Sequence, residues 1–479
     1  MSFVGLLYLT HLKLIGKSHT AVVGIIIAFL CGGFGCLIWI YEYSMSFHIN
    51  IDLDFVERWR IDEQHPLFWW GSFSHLFISQ ISTIYSYPCC CGVFLLLLHT
   101  QDIKNQCNLH HLVKLSFFSG LFCCLLVLYQ IHSFAFLFFF SFILLFAFPQ
   151  AVYANKNVIV GWFIFYLPIL FIALPCILIF FAEYSLTGNL QLTFQFAWKE
   201  SEYIAYFFPS LANMPYVKLF ITPILFWLMN LGLFIPCLIL SFFFCLKTNL
   251  QRKVIVSISL IFVICNCFQF QTWKNDNLKM LCFWMFISSC CVSEFLFFCW
   301  NLDLSKRFPN SKFINKHARG LHSTVQLATI VLFILLIFSG LLSVRREIYQ
   351  HAEFCSDETM AVGKWIIENT KPDDIFLTSS FHVNPASVFA GRAVYATFPG
   401  WLMAANYPGY ERRAEVINNL TGVDVDELNA VLYQNNVSYL LLPPDVKHNE
   451  HFPNREVFAR IYKMVFESEN FIIYNVKIF

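Results

Sequence analysis

The chain has 479 residues, of which 58% are hydrophobic and 13% are charged, and its mean hydropathy is +0.62. Soluble domains average about 45–50% apolar and about 25% charged residues, so the composition excludes a soluble globular protein and predicts a polytopic membrane protein. The net charge of +1 shows no excess of basic residues of the kind that binds nucleic acid.

The eighteen Cys do not form the pattern of a disulfide-rich domain. Seventeen precede residue 300, mostly inside apolar runs such as Cys89-Cys90-Cys91, where a free Cys serves as a small hydrophobic residue. Only Cys355 lies in the polar C-terminal part, which disfavours disulfide or CxxC metal chemistry there.

Apolar runs predict nine transmembrane helices, since each span of the hydrocarbon core needs about 20 apolar residues. The first run begins near residue 21 without a small-residue cleavage site, so it is interpreted as a signal anchor. Tyr85, Tyr87 and Pro88 interrupt the second run. The predicted spans are 21–41, 79–99, 113–131, 134–154, 158–182, 218–246, 254–270, 280–300 and 321–344.

The distribution of Lys and Arg in the loops predicts a cytosolic N-terminus and a non-cytosolic C-terminus. With this orientation the cytosolic segments carry Lys13, Lys17, Lys104, Lys114, Lys156, Lys247, Arg252, Lys253, Lys306, Arg307, Lys312, Lys316 and Arg319. The opposite side carries only Arg58, Arg60, Lys199, Lys218, Lys274 and Lys279. The sequons at Asn419 and Asn436 agree with this topology, since both lie in the C-terminal region.

From residue 345 the composition becomes that of a water-soluble domain, so domains are predicted at 1–344 and 345–479. Strand-length apolar runs occur at 375–378, 393–397, 437–442 and 471–476. A helix is predicted to start near Ser356, and further helical patterns lie at 410–420, 424–434 and 455–466. Strands alternating with helices predict a small α/β domain with a largely parallel sheet at the non-cytosolic surface.

The spans contain few ionisable groups, Glu294 being the clearest, whereas polar groups gather in the non-cytosolic loops. In the first loop, Asp52 and Asp54 have a D-x-D spacing that can share a divalent cation or hold a general base. The alternative is a solvated interfacial helix that turns apolar side chains toward the membrane. The loop 183–217 is either an aromatic belt at the headgroup level or a substrate-lining segment.

The third polar stretch, QTWKNDNLK at 271–279, lies between two apolar runs. Lys274 and Lys279, which flank Asp276 and Asn277, could hold a phosphate as point charges. The alternative is a solvated turn whose Lys side chains extend to water.

In the C-terminal region, three residues near the second predicted strand are candidates for substrate contact. His382 is either a general acid or a capped loop residue, and Arg392 either binds a phosphate or pairs with a carboxylate of its own domain. Trp401 follows that strand in the run Phe398-Pro399-Gly400-Trp401.

Five blocks together resemble a family of polytopic membrane proteins of uncharacterised function related to the GT-C glycosyltransferase superfamily. The blocks are FWLMNLGLFIP (226–236), WKNDNLK (273–279), DETMAVGKWIIENTKPDDIFLTSS (357–380), HVNPASVFAGRAVYATFPGWL (382–402) and NNVSYLLLPP (435–444). The family typically has a Trp-Asp-Asn-x-Lys loop between two late helices and a C-terminal α/β domain with Gly-Arg and Gly-Trp motifs. Here Lys274 and Asn275 separate Trp273 from Asp276, and the histidine that often follows the Gly-Trp motif is missing.

The resemblance implies sugar transfer from a polyprenyl-phosphate donor on the non-cytosolic side of the membrane. Asp52 or Asp54 would then be the base, with a divalent cation as an open option. Lys274, Lys279 and Arg392 would contact phosphate or acceptor, while Asp276 would orient Lys279 or hold a cation. The expected partners are membrane lipid and a polyprenyl-phosphate sugar, and the expected location is the endoplasmic reticulum membrane or the plasma membrane.

Two alternatives remain from the sequence. One is a non-catalytic protein of GT-C-like architecture that binds a glycan, a lipid or a partner. The other, an ion-coupled transporter, is disfavoured because paired broken helices and intramembrane carboxylates are not evident.

Overall fold

The computed structural model describes residues 2–34, 81–101, 106, 108–147, 156–179, 193–194, 214, 221–270, 277–349, 355–380, 383–396, 398, 400, 402, 409–418, 425–444 and 455–477. Contacts divide the chain into two units, one formed by 1–182 and 191–350 and the other by 183–190 and 351–479.

The first unit is helical. Its described helices are α1 (Ser2–Ile15), α2 (Ser18–Leu30), α3 (Ile81–Thr100), α4 (Leu109–Tyr129), α5 (Ile131–Ala147), α6 (Lys156–Pro168), α7 (Thr222–Leu231), α8 (Phe234–Phe244), α9 (Asn249–Cys267), α10 (Leu278–Trp300), α11 (Leu304–Arg307), α12 (Lys312–Lys316) and α13 (Ala318–Tyr349). Among the described residues, six helices are long and apolar enough to cross a bilayer, namely α3, α4, α6 with its continuation, α9, α10 and α13. The chain is therefore a multi-pass integral membrane protein, whereas the predicted number of nine spans stays a prediction.

Helix α1 was not predicted from the sequence. Its polar residues lower the hydropathy of the run but are satisfied inside the bundle: Thr10 Oγ1 donates to Leu6 O at 2.8 Å. His11 Nε2 lies 2.8 Å from Phe286 O, and His11 Nδ1 lies 3.3 Å from Ala21 O. Gly16, at φ +76°, then reverses the chain into α2.

Glycines allow the helices to approach closely around α10, which is buried along most of its length. A Cβ on Gly24 of α2 would lie 2.9 Å from Cys290 Cα. A Cβ on Gly340 of α13 would lie 2.0 Å from Leu30 O. Small residues at such crossings let backbones pack directly, which is how membrane helices gain van der Waals contact.

Three predicted spans differ in detail from the helices observed. The span predicted at 218–246 is broken into α7 and α8, because Gly232 adopts φ +54° and a Cβ there would crowd Gly33. By contrast, α3 is continuous through Pro88. After Pro168, α6 passes through a π-helical turn at Ile169–Ala173 and returns to α-helix up to Ile179.

Two short strands, β1 (Thr193–Phe194) and β2 (Phe268–Gln269), form an antiparallel pair in the first unit. The last helix of this unit, α13, continues beyond residue 344 to Tyr349. The predicted domain boundary at 344/345 therefore falls inside a helix, and the domain limits stay a prediction.

The second unit contains a five-stranded sheet in the order β4–β3–β5–β7–β6. Its elements are α14 (Asp357–Asn369), β3 (Ile375–Thr378), β4 (Ala393–Val394), α15 (Tyr410–Asn418), α16 (Val425–Gln434), β5 (Val437–Leu442), α17 (Arg455–Ile461), β6 (Lys463–Glu467) and β7 (Ile472–Asn475). Alternate residues of β5 enter two separate apolar clusters, one packed with α15, α16 and α17 and the other with α14. Because the two faces of the sheet have different partners, the unit has three layers.

The prediction of a largely parallel sheet was wrong for its C-terminal half. Strands β4, β3 and β5 are parallel, but β7 is antiparallel to both β5 and β6. The predicted helix 455–466 ends at Ile461, and its last residues form β6. The cause is a tight turn after Glu467, because so short a connection can only join antiparallel strands. Glu358 holds this turn by accepting hydrogen bonds from Ser468 Oγ and Asn470 N.

Candidate functional site at the start of helix α10

The structure describes four of the predicted site residues, Asn277, Lys279, Arg392 and Asn436. The others lie outside the described residues, so their positions stay predictions: Asp52, Asp54, Lys274, Asp276, His382, Trp401 and Asn419. The candidate site is therefore built from what surrounds the connection between α9 and α10.

Asn277 closes this connection with its side-chain amide. Its Nδ2 donates to Cys265 O at 3.0 Å and to Phe268 O at 2.6 Å, and its Oδ1 accepts from Phe270 N at 3.2 Å. The side chain is 1% exposed. Carbonyl groups at the C-terminal end of a helix lack partners within the helix, and here the amide supplies them for α9. Asn277 thus fixes the two points from which residues 271–276 emerge.

The same geometry leaves the first turn of α10 without a cap from its own N-cap residue. Asn277 precedes α10, yet its side chain makes no capping hydrogen bond to that helix because the amide is turned toward α9. The half-buried Lys279 lies in this first turn. Its carbonyl oxygen lies 3.4 Å from the hydroxyl of Tyr87, which joins α10 to α3. A helix N-terminus and a lysine together make this end of α10 positive.

A second predicted loop approaches the same place. The pair β1–β2 sets Thr193 opposite Gln269 and Phe194 opposite Phe268. Residues 193–194 belong to the loop 183–217, which the sequence analysis treated as a separate feature. Two of the three polar stretches predicted to be non-cytosolic therefore meet directly before residue 270.

Sequence reasoning missed a neutral polar cluster at this end. Gln130, between α4 and α5, accepts hydrogen bonds through Oε1 from Ser86 Oγ at 2.8 Å and from Ser133 Oγ at 2.6 Å. In the described part of the chain, Gln130 Nε2 is buried without a hydrogen-bond partner. The signal was present as Gln130-Ile131-His132-Ser133, a polar interruption between two apolar runs.

A small aromatic cavity lies beside the start of α10. It has a volume of about 30 Å³ and is bordered by Trp227, Leu278, Leu281 and Trp284. This is room for only one or two water molecules. Trp227 Nε1 donates to Asn266 Oδ1 at 2.8 Å, whereas the buried Trp284 Nε1 has no acceptor among the residues described.

In the second unit, Arg392 makes its hydrogen bonds at the C-terminal end of α14. Its guanidinium donates to Thr370 Oγ1 and Thr370 O at 3.0 Å, to Ala390 O at 3.0 Å and to Ile367 O at 3.3 Å. A cation that satisfies the last carbonyls of a helix also complements its dipole. These partners lie in its own unit but are carbonyl and hydroxyl oxygens rather than the predicted carboxylate, and a phosphate contact stays a prediction.

The sequon residue Asn436 is exposed in a left-handed conformation at φ +51°, directly before β5. Its hydroxyl partner, Ser438, is buried in that strand next to Asp374. Burial alone would raise the pKa of Asp374, but hydrogen bonds from Lys477, Lys371 N and Ser438 outweigh it and hold the pKa below its ordinary value. The hydrogen bond to Asp374 raises the pKa of Lys477 correspondingly.

The described part of this end thus brings a lysine and the N-terminus of α10 together. In the ranges that the structure describes, no group of three His, Cys, Asp or Glu side chains is placed to hold a metal ion. The predicted base, Asp52 or Asp54, lies outside those ranges.

No protein-family model matches the chain. A search of curated proteins also found no match. Among solved structures, the chain is similar to an archaeal oligosaccharyltransferase, AglB from Archaeoglobus fulgidus, in complex with an inhibitory peptide and a dolichol-phosphate. The identity is 11% and the TM-score is 0.46, over 99% of this chain and 62% of that chain. This TM-score is too low to establish a shared fold.

Proposed function

We propose that the chain is a glycosyltransferase of the GT-C type that uses a polyprenyl-phosphate sugar donor at the non-cytosolic face of the membrane. The observation that carries the proposal is the closed connection between α9 and α10. Asn277 fixes both ends of residues 271–276, and Lys279 follows in a helix turn that its N-cap residue leaves uncapped.

The phosphate role agrees with elementary electrostatics. The leaving group of such a donor is a lipid phosphate at the headgroup level, where its growing negative charge must be stabilised. Free N–H groups at a helix N-terminus favour anions, and a lysine beside them adds a full positive charge. A lysine at a helix end can reach this level without entering hydrocarbon.

The residue roles in this proposal are those that the family resemblance implies. Lys274 and Lys279 hold the donor phosphate, Asp276 orients Lys279 or binds a cation, and Asp52 or Asp54 activates the acceptor. A contact between Arg392 and the phosphate stays a prediction, since its guanidinium donates to Thr370 in the structure.

The test is transfer by the purified full-length protein in lipid nanodiscs, assayed with a panel of radiolabelled polyprenyl-phosphate hexoses. Asp52→Asn or Asp54→Asn should abolish transfer while leaving donor binding intact. Lys279→Gln should weaken donor binding about tenfold, the usual effect of removing one charge-assisted contact. Asp62→Asn is the matched control in the same loop and should retain activity. Full activity in both the Asp52→Asn and Asp54→Asn variants would show that the base assignment is wrong.

One observation favours a second candidate, a non-catalytic binding protein of the same architecture. Asn277 and Arg392, both predicted to contact substrate, instead make internal hydrogen bonds in the structure. The two candidates differ in one measurement: a binding protein retains the polyprenyl-phosphate donor but releases no free polyprenyl phosphate with any acceptor.

The proposed orientation places the second unit on the non-cytosolic side, in the endoplasmic reticulum or plasma membrane. Asn419→Gln and Asn436→Gln test this orientation through the glycosidase-sensitive mass of the protein from cells. Loss of a mass shift in either variant supports a non-cytosolic C-terminus. Labelling of Cys355 by a membrane-impermeant maleimide only after the cytosolic side is exposed would contradict it.

A further inference from the structure

A second charged region lies at the other end of α10, and the proposed glycosyl transfer does not use it. The start of α2, the end of α8, the end of α10 and α11 together surround an open cavity of about 510 Å³. We call it the basic cavity, and its charged lining residues are Lys17, Lys247, Glu294, Asp303, Lys306 and Arg307. The distribution of Lys and Arg predicts that this end of the bundle faces the cytosol.

The two carboxylates of the basic cavity are already occupied within the protein. Glu294 accepts from Lys17 through one oxygen and from Thr20 Oγ1 at 3.1 Å through the other. Asp303 accepts from Ser305 N at 3.0 Å and pairs with Lys306 at 3.5 Å. These contacts neutralise the acids and use two of the four cations.

The other two cations have no such partner in the part of the chain that the structure describes. No described carboxylate lies within ion-pair distance of Lys247 or Arg307, and both side chains are exposed at the cavity. They come from separate segments, Lys247 from the turn after α8 and Arg307 from α11. The fold thus brings two uncompensated positive charges to one cavity.

The border of the cavity is apolar and aromatic. The rings of Phe244 and Phe298 stack with centroids 6.0 Å apart, and Phe244 is half exposed. The neighbouring Phe243 is 70% exposed and lies one residue earlier on α8. A ligand that fits this border has an anionic head and a hydrocarbon body, which describes a phospholipid better than a free anion.

We infer that the basic cavity binds the phosphate headgroup of an anionic membrane lipid. The phosphate lies between Lys247 and Arg307, and the acyl chains follow the exposed phenylalanines of α8. A guanidinium and an ammonium suit this ligand because charge-assisted hydrogen bonds to phosphate are strong. Negatively charged lipids of the cytosolic leaflet attract basic segments at the membrane surface. This site is separate from the proposed catalytic end and does not depend on it.

The test uses the full-length protein in detergent, with lipid adducts counted by native mass spectrometry. The probes are dioctanoyl phosphatidic acid, dioctanoyl phosphatidylcholine and inorganic phosphate. The double variant K247Q/R307Q should bind phosphatidic acid about tenfold or more weakly than the wild type. The control K316Q/R319Q removes the same charge from exposed residues outside the cavity and should change the affinity less than about twofold. Both variants should unfold at the wild-type temperature, because all four side chains are exposed.

Three outcomes would overturn the inference. Equal weakening in both double variants would show only diffuse attraction by surface charge. Equally tight binding of phosphatidylcholine would show that the anionic headgroup is not recognised. Complete displacement of phosphatidic acid by millimolar inorganic phosphate would identify a site for free phosphate rather than lipid.

Discussion

Directly before its first residue, α10 is joined to α9 by the neutral amide of Asn277, and toward its C-terminal end it is joined to the start of α2 by the ion pair of Glu294 with Lys17. Asn277 closes the connection to α9 with three hydrogen bonds and is almost fully buried. Glu294, at the other end, is held by Lys17 and Thr20 beside an open cavity. At the start of α10, hydrogen bonds satisfy the buried polar groups. Near its other end, cations remain exposed at the cavity.

The difference shows that an exposed charged residue and a buried polar residue have different roles at a helix end. The buried amide cannot be lost without leaving carbonyl groups unsatisfied in a dry environment, so it contributes to folding. The exposed cations can be lost without such a penalty, so they are available for a ligand. The four changes below test this contrast, beginning with the largest expected effect.

Gly340→Ala, at the crossing of α2 and α13, should be the most damaging of the four substitutions. Its Cβ would overlap the backbone of Leu30 at 2.0 Å, and backbone atoms cannot move aside as side chains do. We expect a loss of about 3 kcal/mol or more, measured as the unfolding midpoint in detergent. Gly320→Ala on the same helix is the control, since a Cβ there meets nothing within 4 Å. Equal effects of both changes would mean that α2 and α13 do not cross at Gly340.

Asn277→Ala should destabilise the protein by about 2 kcal/mol, because Cys265 O and Phe268 O would lose their common donor. The same unfolding assay measures it. Asn301→Ala is the matched control at the open end, where the exposed amide donates only to Phe297 O within its own helix. That control should cost less than about 0.5 kcal/mol. A larger effect at Asn301 would reverse the contrast between the two ends.

Asp374 extends the comparison to a buried charged residue in the second unit, whose hydrogen bonds are expected to stabilise the fold. Its folded-state pKa lies below the ordinary value of 3.8, so the network stabilises the fold at neutral pH. This contribution is lost as the pH falls through the folded-state pKa. Asp374→Asn should cost about 1–2 kcal/mol at pH 7 and should make the unfolding midpoint less sensitive to acid. The exposed neighbour Asp373 provides the control Asp373→Asn, which should keep the wild-type acid sensitivity.

Lys17→Met should have the smallest effect, about 0.5–1 kcal/mol, because Lys17 is half exposed and its pair with Glu294 is screened by water. The double variant K17M/E294Q distinguishes the electrostatic attraction between the two side chains from the effect of burying each of them. If the pair matters, the double variant should be more stable than the sum of the two single changes predicts. Strict additivity in a double-mutant cycle would show that the two side chains are not coupled.

Periodic apolar runs were enough to predict the helices whose interruptions are few. The predicted spans 254–270, 280–300 and 321–344 lie within a few residues of α9, α10 and α13. A long apolar run is stable in a bilayer only as a membrane-spanning helix. α1 was missed because Thr10, His11 and Lys13 lower the hydropathy of the run, although Thr10 bonds to Leu6 O in the same helix and His11 has contacts with α2 and α10. Those contacts join residues far apart in sequence, which local hydropathy does not contain.

The sequence indicated which residues belong to the candidate site, but not which contacts those residues make. The polar stretch 271–279 was recognised as unusual, yet the role of Asn277 depends on where the last carbonyls of α9 point. Arg392 was recognised as a candidate phosphate ligand, and its use at the end of α14 follows from a packing of two segments 22 residues apart. The basic cavity was not predicted, because its cations are spread over loops from residue 17 to residue 307.

The π-helical turn in α6 has a consequence for the side of that helix that faces lipid. Phe163 and Ile179 are both about two-thirds exposed and lie sixteen residues apart. In an unbroken α-helix they would be about 160° apart around the axis, on nearly opposite sides. One extra residue accommodated at Ile169–Ala173 reduces this angle to about 60°. The turn thus keeps Phe163 and Ile179 on one side: deleting one residue from it would restore a regular α-helix with the two still about 60° apart, whereas converting it to α-helical geometry at constant length would rotate Ile179 by about 100°.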